Sequence, residues 1–151
     1  MKVATQIIIG IIAVGLIIVI AKNSLFTDTS TQFYNDGWTA FEKKNYESSI
    51  FFFNHVDETK YPDVSMGLGA SYLELKDYDN AILNLQKAYK NKQSYSSEDF
   101  NKILNSLGYC YLQTRELDKA QFFLEEGVKF GNPNSKRNIE IVDSLKQIQS
   151  R

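Results

Sequence analysis

Three stretches of the sequence repeat one pattern. Each has an early glycine in a segment of helically spaced apolar residues, then a short polar turn, then a small residue that opens a second such segment. The first runs from Phe33 to Val56, the second from Met66 to Tyr89 and the third from Ile103 to Val128. Their register glycines are Gly37, Gly69 and Gly108, spaced by 32 and 39 residues. The turns close on Tyr46, Tyr78 and Leu117, and the small residues that follow are Ser49, Ala81 and Ala120. A unit this short cannot bury its own apolar face, whereas three stacked units make a continuous core. No stretch alternates with period two, so the expected class is all-α.

Gly69 and Gly108 carry no side chain and let a paired helix approach closely. Ala81 and Ala120 do the same from the opposite helix, and Tyr72, Leu85, Tyr111 and Leu124 fill the space between hairpins. These residues resemble the tetratricopeptide repeat, whose period is about 34 residues. The match runs through Leu68-Gly69, Tyr72, Ala81, Leu85 and Ala88 in the second copy, and through Leu107-Gly108, Tyr111, Ala120 and Leu124 in the third. The first copy departs from the family, with Asp36 in place of leucine and Ser49 in place of alanine. The resemblance covers residues 30–134 and implies a right-handed solenoid of three helical hairpins, at about 30–61, 62–95 and 97–134. The wider glycine spacing places an insertion at 91–99, which lengthens a helix or makes a loop. Thr29 and Gln32 have the spacing of a capping box at the start of the first helix. After the break at Asn132-Pro133-Asn134, residues 135–151 read as a terminal capping helix with Ile139, Val142, Leu145 and Ile148 on one stripe. A detachable partner-binding tail is the alternative reading of that segment.

Residues 3–21 carry no charge, and Lys2 and Lys22 bracket them. As a helix they would rise about 28 Å, close to the roughly 30 Å hydrocarbon core of a bilayer. The expectation is a transmembrane anchor at 1–22, a linker at 23–29 and a single-pass membrane protein in contact with lipid through 3–21. A cleaved signal peptide is the alternative, with Ala21 near the cut, but the apolar run exceeds the roughly 7–15 residues usual for one. Charge bias is slight and favours the main domain on the non-cytoplasmic side.

Of the 17 Lys and Arg residues, Lys2 and Lys22 lie in that segment, so the remainder has 15 against 18 acidic residues. That balance lacks the basic footprint of a nucleic-acid binder. His55 and Cys110 are the single histidine and cysteine. They lie far apart in the stacking order, so neither a Cys–His nucleophile nor a clustered metal site is expected. The glycines form no phosphate-binding motif. The expectation is therefore no enzyme, no cofactor and no metal.

The family resemblance implies that the first helices of successive hairpins line a concave groove. Projection of the repeat register places Tyr34, Trp38, Met66, Ala70, Asn105 and Tyr109 toward it. Tyr and Trp are common interface anchors because they bring large area at small entropic cost; packing inside the first hairpin is the alternative for Tyr34 and Trp38. The clamp with which chaperone-binding relatives hold a terminal carboxylate maps to Tyr34, Trp38, Gly67, Lys102 and Ser106, and of these only Lys102 suits the task. Three consecutive phenylalanines, 51–53, cannot share one helix face. Phe51 and its equivalent Phe122 are expected on the convex side, as partial core exposure or as a second interface. The reading is a membrane-anchored adaptor or assembly factor that binds a protein or peptide partner in its groove. A permanent structural subunit of a membrane protein complex is the alternative.

Overall fold

The computed structural model describes residues 12–16 and 28–150, and among them every regular element is helical. The main body is α1 (Thr29–Glu42), α2 (Tyr46–Phe53), α3 (Val64–Glu74), α4 (Tyr78–Lys90), α5 (Ser97–Gln113), α6 (Leu117–Lys129) and α7 (Pro133–Gln149), with a short 3₁₀ turn at Lys92–Ser94. Each helix packs chiefly on its neighbours in sequence. In addition α1, α3, α5 and α7 touch in succession, so the first helices of the hairpins stand side by side. This all-helical stack of three hairpins and a terminal helix is consistent with a tetratricopeptide-like solenoid.

One backbone solution closes all three hairpins. After α1, Lys44 N–H donates to the Phe41 carbonyl and Asn45 N–H to the Ala40 carbonyl, both at 2.9 Å. The same pair of bonds recurs at Lys76 and Asp77, and at Arg115 and Glu116. This pairing satisfies the last carbonyls of the helix and places the residue after its cap in the left-handed region. Lys44, Lys76 and Arg115 hold φ of 60°, 62° and 66°. None of them is glycine, at a cost of about 1–2 kcal/mol each. Asn45 and Asp77 then cap the second helices by accepting from Ser48 N–H and Asn80 N–H.

Two helix starts differ from the sequence expectation. The first helix is capped by the Asp28 side chain, which accepts from Ser30 N–H, so Thr29 is its first helical residue. The terminal helix begins at Pro133, with Asn132 accepting from two backbone N–H groups. Proline is favoured in a first turn because its missing N–H would be unpaired there in any case. The insertion at 91–99 is taken up in both ways: the 3₁₀ turn, and an α5 of 17 residues against 11 for α3.

Close approach between helices is set by glycines. A Cβ on Gly108 would lie 2.5 Å from Leu124 Cγ, and one on Gly69 would lie 2.6 Å from Leu85 Cγ. The first hairpin uses a different device. The Phe53 ring lies between Gly37 and Gly67, and a Cβ on either would come within 2.6 Å of it. Beside it the buried Ser49 hydroxyl donates to the Gly37 carbonyl at 3.0 Å and meets Ser71 Oγ at 3.0 Å. That hydrogen-bonded pair explains a serine where the other copies carry alanine.

The buried apolar residues form two clusters. Phe53, Val56, Val64 and Leu68 make the smaller one. The larger runs from Ala81 through Ile103, Leu107, Tyr111 and Leu124 to Val142 of α7, and Tyr72 packs against both. On the α7 stripe Val142 is wholly buried, while Ile148 at its end is exposed. Cys110 lies inside the larger cluster, and burial pushes its thiol up to about 12. It should therefore resist a water-soluble thiol reagent at pH 8 in the folded state and react fully once denaturant unfolds the chain. Fast labelling without denaturant would show this part of the core to be open.

The single-pass membrane placement expected from residues 3–21 is corrected. Among the described residues no helix is long and apolar enough to cross a membrane. Of that stretch only 12–16 are described, as exposed helix. The rest of the anchor expected at 1–22, and the expected linker up to residue 27, lie outside the described residues.

Candidate functional site

The stack leaves a groove of about 590 Å³ between α1, α3 and the start of α5. Its walls follow from helical periodicity on the three first helices. Trp38 and Phe41 come from α1, Met66, Ala70 and Leu73 from α3, and Lys102 and Ser106 from α5, with Leu85 and Ile103 at the floor. Leu85 and Ile103 are buried core residues, so the floor is rigid. Trp38 is half-buried: one edge packs on Phe53 (5.1 Å between ring centroids) and another on Phe41 (5.9 Å), while the rest faces the groove. It serves core and groove together.

The six residues projected from the repeat register do not share one site. Trp38, Met66 and Ala70 line this groove. Tyr34 sits beyond its end, stacked on Tyr61 at 4.2 Å, with its hydroxyl donating to Asp63 Oδ2 at 2.5 Å. Burial, and then the Asp63 bond, raise the Tyr34 phenol to about 12. Asn105 lies against α7, where its Oδ1 accepts from Ser135 Oγ at 3.2 Å and from Asn138 Nδ2 at 3.4 Å. Tyr109 borders a second, smaller hollow of about 310 Å³ with Leu112, Ile141 and Leu145. The division has a geometric cause. A first helix in a stack presents two flanks: on α5 Lys102 and Ser106 face back toward α3, Asn105 bonds forward to α7, and Tyr109 lies between Tyr78 of α4 (6.4 Å between ring centroids) and the α7 hollow.

Sequence projection missed Phe41, Leu73 and Glu74, which follow Trp38 and Ala70 by three or four residues and so continue the same helical stripe. It also missed the charge on the groove. Asp63, Glu74 and Asp99 line it, with Lys102 as the one basic side chain among the lining residues. Lys102 Nζ is held by Glu98 Oε1 at 3.0 Å and Asp99 Oδ1 at 3.1 Å. Glu98, and then Asp99, raise the Lys102 ammonium above its ordinary value. The Ser96 hydroxyl, and then Lys102, hold the Asp99 carboxyl below the usual range. The side chain that best suited a carboxylate clamp is thus already paired.

On the second helices Phe51 and Phe122 are 55% and 52% exposed, and Leu83 at the same register position is 56% exposed. Each lies two residues after the small residue of its copy, so the outer face carries an apolar residue per hairpin. Leu83 was not picked out in the sequence because it is not aromatic. The His55 ring packs on Phe51 at a tilt of 45°, with ring centroids 4.6 Å apart, and its Nδ1 lies 2.8 Å from the Phe51 carbonyl oxygen. Among the described residues no three His, Cys, Asp or Glu side chains gather where they could hold a metal ion.

No curated protein matches the chain. Residues 62–95 and 102–130 each match the family model of the tetratricopeptide repeat. The first hairpin lies outside both stretches, in keeping with its Asp36 and Ser49. Such repeats support a role in protein–protein interaction, with a protein as partner. The two matched stretches fall on the second and third of the stacked hairpins, which are thus similar to the tetratricopeptide repeat.

Proposed function

We propose that this chain is a non-enzymatic adaptor that binds a peptide or helical segment of a protein partner in the groove between α1, α3 and α5. The observation that carries this reading is the groove itself: half-buried Trp38, Phe41, Met66 and Leu73 stand around a rigid apolar floor. Large, partly desolvated aromatic and aliphatic side chains at the centre of a concavity are typical anchors for a partner side chain. The first helices set these walls side by side, so the groove is present without a partner.

Site-specific photo-crosslinking in intact cells tests the reading. A crosslinker at Ala70 in the groove is compared with one at Leu83 on the outer face. Capture of one partner from position 70, reduced at least tenfold when Trp38 is replaced by alanine, is the expected result. Capture from position 83 alone, unaffected by Trp38→Ala, would move the site to the outer face and overturn the proposal. Thermal melting of Trp38→Ala separates lost binding from lost folding.

A further inference from the structure

We infer that the groove selects a cationic ligand: an apolar protein segment that carries lysine or arginine beside its anchoring side chain. The inference rests on the groove being the binding site, and it concerns the chemistry of the occupant. Three carboxylates, Asp63, Glu74 and Asp99, line a concavity whose floor is hydrocarbon. The one basic residue among the lining, Lys102, is engaged by Glu98 and Asp99 and cannot offset all three. Asp63 is fixed toward the groove end by the Tyr34 hydroxyl, so its charge is placed rather than free to swing away.

Low-dielectric walls concentrate the field of such a cluster and raise the local concentration of cations. An anionic segment, or a free C-terminal carboxylate, would meet a lining of three carboxylates against one ammonium that is already paired with Asp99 and Glu98. A ligand that sets an aliphatic or aromatic side chain against Trp38 and Met66, with a lysine or arginine toward Glu74 or Asp99, is complementary in both respects. Since Glu74 is exposed and Asp63 and Asp99 are only part-buried, charge should act on selectivity and association rate more than on the depth of binding.

The test uses the full chain and three labelled 12-residue peptides sharing one Leu/Phe scaffold, with flanking residues that are all Lys, all Gln or all Glu. Binding is read by fluorescence anisotropy and by the emission of Trp38, which is the chain's single tryptophan. The Lys peptide should bind at least tenfold more tightly than the Glu peptide. Raising salt from 50 to 500 mM should shrink that ratio, because exposed charges are screened beyond a few ångströms there. Glu74→Gln with Asp99→Asn should lower affinity for the Lys peptide about three- to tenfold, as expected for two exposed ion pairs, and leave the Gln peptide unchanged.

Equal or tighter binding of the Glu peptide, with the Trp38 emission still responding, would overturn the charge selection and leave the groove in place. Peptide binding seen by anisotropy with no Trp38 response, and unaffected by a groove-filling Ala70→Tyr, would overturn the groove itself. A Trp38 emission that changes with protein concentration and no peptide present would make the occupant a second copy, and the inference would fail.

Discussion

Replacing Phe53 with alanine is expected to destabilise the chain by about 3–5 kcal/mol, near the upper end for a buried aromatic. The size follows from the neighbours. Phe53 is 1% exposed and its ring lies between two glycines, one on α1 and one on α3. Neither glycine has a side chain that can lean into the void, so the cavity stays open and its walls lose their contacts. A fall in melting temperature of roughly 10–20 °C should accompany it. The interaction can be isolated by a second substitution. Gly67→Ala alone should destabilise, since its Cβ meets the ring at 2.6 Å, yet in the Phe53→Ala background it should restore part of the loss. A double-mutant cycle by urea denaturation checks this inversion of sign. A melting temperature within two or three degrees of the parent for Phe53→Ala would mean that the first hairpin is not packed as described.

Gly108→Leu should cost about 3 kcal/mol, at the upper end for overpacking. A Cβ there would meet the Leu124 side chain at 2.5 Å and the Leu124 backbone nitrogen at 3.3 Å. A change of Leu124 rotamer relieves the first contact but not the second, so α5 and α6 must separate. Gly108→Ala should lose less, because its single methyl needs only that separation and no further space. Denaturant midpoints of the two variants order the effect. If leucine were tolerated as well as alanine, the helix contact at Gly108 would be looser than the geometry requires.

The pairs Gly69–Leu85 and Gly108–Leu124 could be read from the sequence because both members lie in one repeat, sixteen residues apart. The role of Gly67 could not. Its partner Phe53 belongs to the preceding hairpin, so no register within a copy connects them. The left-handed positions at Lys44, Lys76 and Arg115 were hidden for another reason: turns of this kind are sought by glycine or asparagine, and here the stack holds a long cationic residue in that conformation. At the first helix, Asp28 and Thr29 are both good capping residues, and only the backbone decides between them. The groove was half legible. Trp38, Met66 and Ala70 came from the repeat register projected onto the groove that the family resemblance implies, but register assigns one face per helix and a stacked helix has two working flanks. That is why Asn105 turned toward α7 and Tyr109 into the separate hollow between Tyr78 and α7. The membrane placement was read from composition over 3–21, and no described helix bears it out.

The two apolar clusters meet at Tyr72, and the groove straddles that seam. Trp38 on one wall is attached to the smaller cluster, whereas Leu85 and Ile103 belong to the larger. A displacement of the first hairpin against the rest of the stack therefore alters the gap between the walls directly. A ligand that touches both sides acts as a tie across the seam, and its affinity and the rigidity of the junction are one linked quantity. Side chains that pack at Tyr72 set the aperture of the groove without ever touching what enters it.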